Sequence, residues 1–220
     1  MELAVRTHGG AVAPGKAMLN IDVDEPAFDA RAKEGADSKR AIATEAAKLP
    51  KPVQTLVIDA GTTTLELTRA LAVDADFKIF TNNLRAAIML TESRNQVYTL
   101  GGQIRPGEYS VCGSIGVAQL RQFWLDIAFI GVSGIAEDGF YDYSLEETEM
   151  KRAFIERASE FVVLCDSRKF ERLSLVKVCE LKAATVLVTD AAPPAAIAEH
   201  LTAAGTHIIV AAPIGAVRPT

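Results

Sequence analysis

The sequence predicts an α/β protein built on a largely parallel sheet flanked by helices. Short apolar runs alternate with amphipathic segments from Gln54 onward, as repeated strand–helix units require. Two of those runs, Leu56-Val57-Ile58 and Phe161-Val162-Val163-Leu164, are apolar without interruption, as expected of strands covered on both faces. The 220 residues are 49% hydrophobic and 23% charged. A chain of this size buries roughly 70% of its unfolded surface and needs no metal or disulfide to fold.

In chain order, residues 1–23 read as a linker or N-terminal arm. Gly9, Gly10, Pro14 and Gly15 punctuate them and no period emerges. Asp24-Glu25-Pro26 has the form of a helix start, with Asp24 as cap and Pro26 in the first turn. Ala27 to Leu49 is rich in helix formers and reads as one helix, stopped by Pro50 and Pro52. Residues 24–220 then form the α/β unit. Strands are predicted over Gln54–Asp59, Phe77–Thr81, Gln96–Leu100, Asp126–Val132, Glu160–Cys165, Thr185–Thr189 and His207–Ala211. Helices are predicted over Thr62–Ala72, Leu84–Ser93, Ile115–Gln122, Glu146–Ala158 and Pro194–Ala204. No repeat of 20–50 residues appears.

A net charge of −5 and a pI near 5.3 argue against a chain that wraps nucleic acid by itself. A small basic pocket for an anionic metabolite fits such a surface. No apolar run is long enough to span a membrane, and the N-terminus lacks a signal-peptide pattern, so a cytoplasmic protein is expected. Cys112, Cys165 and Cys179 lack paired spacing and are expected as plain thiols; His8, His200 and His207 form no metal-ligand spacing. No metal and no cofactor is expected.

Ligands of open parallel sheets bind beyond the carboxyl ends of the strands. The first strand ends Asp59-Ala60-Gly61-Thr62-Thr63-Thr64 at a helix start. Three hydroxyls and free helix N–H groups there suit a phosphate, or serve simply as a cap. The loop is not a P-loop, since no Gly-Lys-Ser/Thr follows. The second strand ends Thr81-Asn82-Asn83, turn chemistry that next to the threonine loop could meet sugar hydroxyls. The third ends Gly101-Gly102, where a backbone can approach a ligand or another strand. The fourth ends Gly131-Val132-Ser133-Gly134, followed by the turn signal Asp138-Gly139, whose carboxylate could also act as a base. Glu147 and Lys151 have surface-pair spacing; alternatively Lys151 points at the threonine loop. On that second reading, Lys151→Ala weakens binding and leaves the fold intact. The fifth strand ends Asp166-Ser167-Arg168-Lys169-Phe170, offering Asp166 for hydroxyls and Lys169 as a second cation.

Taken in order, nine stretches resemble the effector-sensing domain of DeoR-type transcriptional repressors. They are Arg6-Thr7-His8-Gly9-Gly10-Ala11; Lys39-Arg40-Ala41-Ile42-Ala43; Asp59 to Thr64; Thr81-Asn82-Asn83; Gly101-Gly102; Ala128-Phe129-Ile130-Gly131 leading to Gly134-Ile135; Asp138-Gly139; Glu147 with Lys151-Arg152; and Asp166 to Phe170. The resemblance implies a Rossmann-like fold similar to ribose-5-phosphate isomerase and a phosphorylated sugar as effector. It implies no catalysis: Gly131-Val132-Ser133-Gly134 has no acid where the isomerases place their base, and Phe140 stands where related deaminases have histidine. It also implies that the chain begins at the junction with a DNA-reading domain, so operator DNA is met only through that missing part, and that the protein forms a homo-oligomer, for which the long N-terminal helix is one interface. The expected site comprises Asp59, Gly61, Thr62, Thr63, Thr64, Thr81, Asn82, Asn83, Gly101, Gly102, Ser133, Gly134, Lys151, Asp166 and Lys169. An isomerase or deaminase of the same fold, with Asp138 or Glu147 as a displaced base, is the alternative. A nucleotide-dependent oxidoreductase is disfavoured because no G-x-G-x-x-G follows the first strand.

Overall fold

Alternating apolar side chains cover both faces of a seven-stranded sheet. The computed structural model describes residues 5–7, 10–12, 20–22, 24–73 and 76–213. Its main sheet comprises β1 (Thr55–Ile58), β2 (Lys78–Thr81), β3 (Gln96–Thr99), β4 (Leu125–Gly131), β5 (Ala158–Leu164), β6 (Val186–Thr189) and β7 (His207–Val210). All pairings are parallel and the spatial order is β7-β6-β5-β4-β1-β2-β3. Each predicted strand is present, its ends shifted by no more than two residues.

The strand period of two sorts the core into layers. Leu56, Ile58, Ile127, Phe129, Val162 and Leu164 face one side, with Ile42 of α2 (Ala36–Ala46) and Leu67 of α3 (Thr62–Leu71). Val57, Ala128, Ile130 and Val163 face the other, with Leu120 of α5 (Ser114–Leu120), Met150 and Phe154 of α6 (Leu145–Arg157) and Leu201 of α7 (Ala195–Ala203). Each such large side chain contributes about 1.5–3 kcal/mol on full burial. A third, small cluster joins Phe28 of α1 (Phe28–Lys33) to Leu65 of α3 and Ala86 of α4 (Leu84–Leu90).

The single helix expected over Ala27–Leu49 is two helices. Gly35 adopts a left-handed φ of 61° between α1 and α2. A Cβ there would meet the Arg168 guanidinium, which would have to shift, and the left-handed φ itself disfavours a side chain. Asp24 does not cap: the N-cap of α1 is Ala27, with no side-chain cap hydrogen bond. The arm also carries regular structure. Val5–Thr7 pairs antiparallel with Gly10–Val12, and Asn20–Asp22 pairs parallel with Arg172–Ser174. His8, Gly9, Pro14 and Gly15 lie outside the described residues.

Two ribbons bring distant residues to the end of the sheet. After β3, Gln103–Arg105 pairs with Ser110–Cys112. After β4, a hairpin of Gly134–Ala136 and Gly139–Asp142 packs beside Val176–Cys179 and returns the chain to α6. Gly134 is required there by close approach, since a Cβ would collide with the Arg172 carbonyl.

Gly35→Ala should lower stability by about 1–2 kcal/mol in urea unfolding, the usual cost of a left-handed residue with a Cβ. An unchanged midpoint would show that the α1–α2 junction tolerates a right-handed backbone.

Candidate functional site

Strands β1 and β4 are neighbours whose connections leave in opposite directions along the sheet, and a crevice opens at such a switch point. Ala60, Gly61, Thr62 and Thr63 line it from the β1 side and Gly131, Val132 and Ser133 from the β4 side. Asp142, Glu147 and Lys151 line it as well, together with Glu25, Arg31 and Lys169. Helix α3 begins here. The N–H groups of its first turn have no acceptor within the helix, and its dipole puts positive potential into the crevice.

Lys151 is 2% exposed. Its Nζ donates to the Gly131 carbonyl at 2.7 Å and lies 2.8 Å from Asp59 Oδ2 and 2.5 Å from Asp142 Oδ2. One cation thus serves two buried carboxylates, and Glu147 adds further negative charge at 4% exposure. The two aspartates respond differently. Asp142 also accepts from Ser133 Oγ at 3.1 Å and the Tyr143 N–H at 2.7 Å. The charge of Lys151 and these donors outweigh its burial and hold it below the usual carboxylate range. Among the described residues Asp59 has no donor besides Lys151, and burial pushes it up to about 7. Lys151 is held above its ordinary value by the carboxylates despite its burial, so it stays charged.

The expected site residues divide by this geometry. Gly61, Thr62, Thr63, Ser133, Lys151 and Lys169 line the crevice. Asp59 lies beneath it in the ion cluster. The others are not in its lining, because their polar groups hold the surrounding loops. Thr64 Oγ1 donates to the Gly61 carbonyl at 3.0 Å, and Thr81 Oγ1 to the Ile58 carbonyl at 2.6 Å. Asn82 Oδ1 accepts from the Ala60 N–H at 3.1 Å, and Asn83 Oδ1 caps α4. The Gly101 N–H donates to Gln119, Gly102 leads into the ribbon after β3, and Gly134 opens the hairpin. Asp166 is fully buried and accepts from Arg168 Nε at 2.9 Å, the arginine that packs on Gly35.

Glu147 and Lys151 are therefore not a solvated surface pair. They lie on the buried stripe of α6 with Met150 and Phe154. The sequence signal was there: charge on a core-facing stripe needs partners. Asp142, the partner, is brought in by the hairpin. Acid is thus present in the crevice, from Asp142 and Glu147, although the β4 loop supplies none. Asp138 is exposed on the hairpin turn, bonded to Tyr141 and to Lys177 at 3.0 Å. Phe140 is buried in the core.

Glu25 and Arg31 had no sequence signal. Arg31 pairs with Glu25 at 2.9 Å and with Glu108. Arg105 reaches Glu25 at 2.6 Å and Glu147 at 3.1 Å, and Ser110 Oγ donates to Glu147 at 2.6 Å. Lys169 donates to the Val132 carbonyl at 2.6 Å. Near it Lys39 is buried and donates to the Arg31 carbonyl; burial and the charge of Lys169 bring Lys39 down to about 8.

The family described as the DeoR C terminal sensor domain matches residues 34–191. The chain belongs to that family. Among curated relatives of this DeoR sensor domain, the glycerol-3-phosphate regulon repressor of Escherichia coli K12 is 30% identical over 91% of this chain and 78% of its own length. The repressor of the same name from Haemophilus influenzae is 34% identical over 88% of this chain and 74% of its own. The HTH-type transcriptional repressor GlcR of Bacillus subtilis is 28% identical over 94% and 78%. In fold, eIF2B beta from Chaetomium thermophilum superposes with a TM-score of 0.55 over 77% of this chain and 53% of its own, at 13% identity. Ribose 5-phosphate isomerase A from Methanocaldococcus jannaschii gives 0.47 over 62% of this chain and 55% of its own, at 21% identity.

Because folded Asp59 binds its proton more tightly than the unfolded chain, with an ordinary value of about 3.9, its contribution is complete below pH ~4. It is lost as pH rises through about 7. Wild type should therefore lose stability relative to Asp59→Asn as pH rises from about 4 to about 7. Parallel profiles would mean Asp59 is ionised throughout.

Lys151→Ala strands both aspartates without a counter-ion. It should cost about 3–5 kcal/mol of stability, so the fold is not indifferent to it, contrary to the sequence-based expectation. A melting temperature unchanged in this variant would contradict the buried cluster.

Proposed function

We propose that this domain binds a phosphorylated sugar or related metabolite in the β1–β4 crevice, and that occupancy controls DNA binding by the regulator it serves. The observation that carries the reading is the first turn of α3, Thr62 and Thr63, opening into a crevice that Lys169 and Arg31 also line. A phosphate there meets unsatisfied N–H groups, hydroxyls and two cations. The carboxylates of Asp142 and Glu147 face the rest of the ligand, where sugar hydroxyls can donate to them. Relatives named as glycerol-3-phosphate regulon repressors support a phosphorylated effector. Residues 24–220 act as the sensing unit and residues 1–23 as the arm. A homo-oligomer in the cytoplasm suits this role. Among the described residues, no helix is long and apolar enough to cross a membrane.

The domain senses rather than catalyses. Supporting this, Asp142 has both oxygens engaged, Oδ2 by Lys151 and Oδ1 by Ser133 and the Tyr143 N–H, while Arg105 and Ser110 both hold Glu147 through Oε1 and leave Oε2 as the one oxygen a displaced base would use. A general base needs an oxygen free to take a proton from substrate. To release DNA, the effector must prefer one conformation by about 1–3 kcal/mol.

Thermal unfolding against a panel of sugar and polyol phosphates, with the parent alcohols as controls, tests binding. A true effector at about 100 times its Kd should add about 2.7 kcal/mol of stability, and its parent alcohol none. No shift with any phosphate ester would contradict the reading. Steady product formation from any ester, abolished by Glu147→Gln, would contradict the absence of catalysis.

A further inference from the structure

We propose that Arg31 is a direct ligand of the effector's anionic group, so that the segment Glu25–Lys33 closes the crevice and reports its occupancy toward the N-terminal arm. The proposal rests on the phosphate reading above and extends it to residues outside the sheet ends.

The crevice cations are not equivalent. Lys151 has spent its donors on Gly131, Asp59 and Asp142. Lys169 gives one N–H to the Val132 carbonyl. Arg31 donates from Nε to the Pro26 carbonyl at 2.8 Å and from Nη2 to Glu25 and Glu108. Its Nη1 has no acceptor among the described residues. The open Nη1, in a side chain lining the same crevice as Thr62 and Thr63, can donate to one oxygen of a phosphate, and a fork onto two oxygens forms when Nη2 exchanges a carboxylate for the anion.

The carboxylates nearby are consistent with this. Glu25 would repel an arriving dianion, but it keeps Arg105 at 2.6 Å when Arg31 turns to the ligand. Glu147 keeps Arg105 and Ser110.

The segment that carries Arg31 is held largely by charge. Its apolar anchors are Phe28 and Ala32, packed with Leu65, Ala86 and Met89. Its other ties are ionic or polar: Glu25 to Arg105, Arg31 to Glu108, the Arg31 carbonyl to Lys39, and Arg85 stacked over the Phe28 ring at 3.9 Å. Leu65 belongs to the helix whose first turn faces the phosphate. An anion bridging α3 and Arg31 therefore clamps α1 onto α3. Asn20–Asp22, the arm strand just before this segment, docks on Arg172–Ser174, so the clamp acts on chain already held to the sensor.

Hydrogen exchange with inorganic phosphate and with sn-glycerol 3-phosphate tests the proposal, read on peptides covering 24–34 and 60–72. Both peptides should exchange more slowly with ligand. Arg31→Lys keeps the charge and removes the fork; it should weaken binding about tenfold and abolish the slowing at 24–34 while retaining it at 60–72. Slowing confined to 60–72 in wild type, or unchanged affinity in Arg31→Lys, would overturn the role of Arg31 and leave the phosphate reading standing. Slowing in neither peptide would overturn both.

Discussion

The buried ammonium of Lys151 ties together four pieces of chain that the sheet topology alone would leave independent. The lysine comes from α6, one carboxylate from the end of β1, the other from the hairpin after β4, and the carbonyl from the end of β4 itself. These contacts fix the floor of the crevice. Taking three charges out of water is costly, and the cluster offsets that cost only while every partner stays in place. Because it holds one cation between two carboxylates, the floor is not positive. On the proposed reading, attraction for an anion comes from above it, from the start of α3, Lys169 and Arg31.

The centre of the sheet was legible in the sequence because strands covered on both faces are written as nearly uninterrupted apolar runs, as in Leu56-Val57-Ile58 and Phe161-Val162-Val163-Leu164. The turn from β1 into α3 was legible because a glycine and three threonines, poor helix formers, follow the apolar run, and α3 does begin at Thr62. The break at Gly35 was obscured by the helix formers on either side, although a lone glycine amid them was its visible trace. Thr81, Asn82 and Asn83 are at the right end of the sheet. Their polar groups were needed to satisfy the backbone of Ile58, Ala60 and the start of α4.

Long-range pairings were the part that a linear reading could not supply. Asp142 meets Lys151 only because a hairpin folds back, and Glu25 meets Arg105 across the ribbon that follows β3. The same limit made acid appear absent from the site. The β4 loop lacks a carboxylate, yet two line the crevice from elsewhere, Asp142 engaged on both oxygens and Glu147 held through Oε1 alone.

The central claim is that the first turn of α3 receives the phosphate of the effector. Amide chemical shifts of the 15N-labelled domain, followed while a stabilising phosphate ester is added, test it most directly. The account expects the largest changes at Thr62 and Thr63, with smaller ones at Val132 and Ser133, and none from the parent alcohol. Saturable changes centred elsewhere, with Thr62 and Thr63 unmoved, would contradict it.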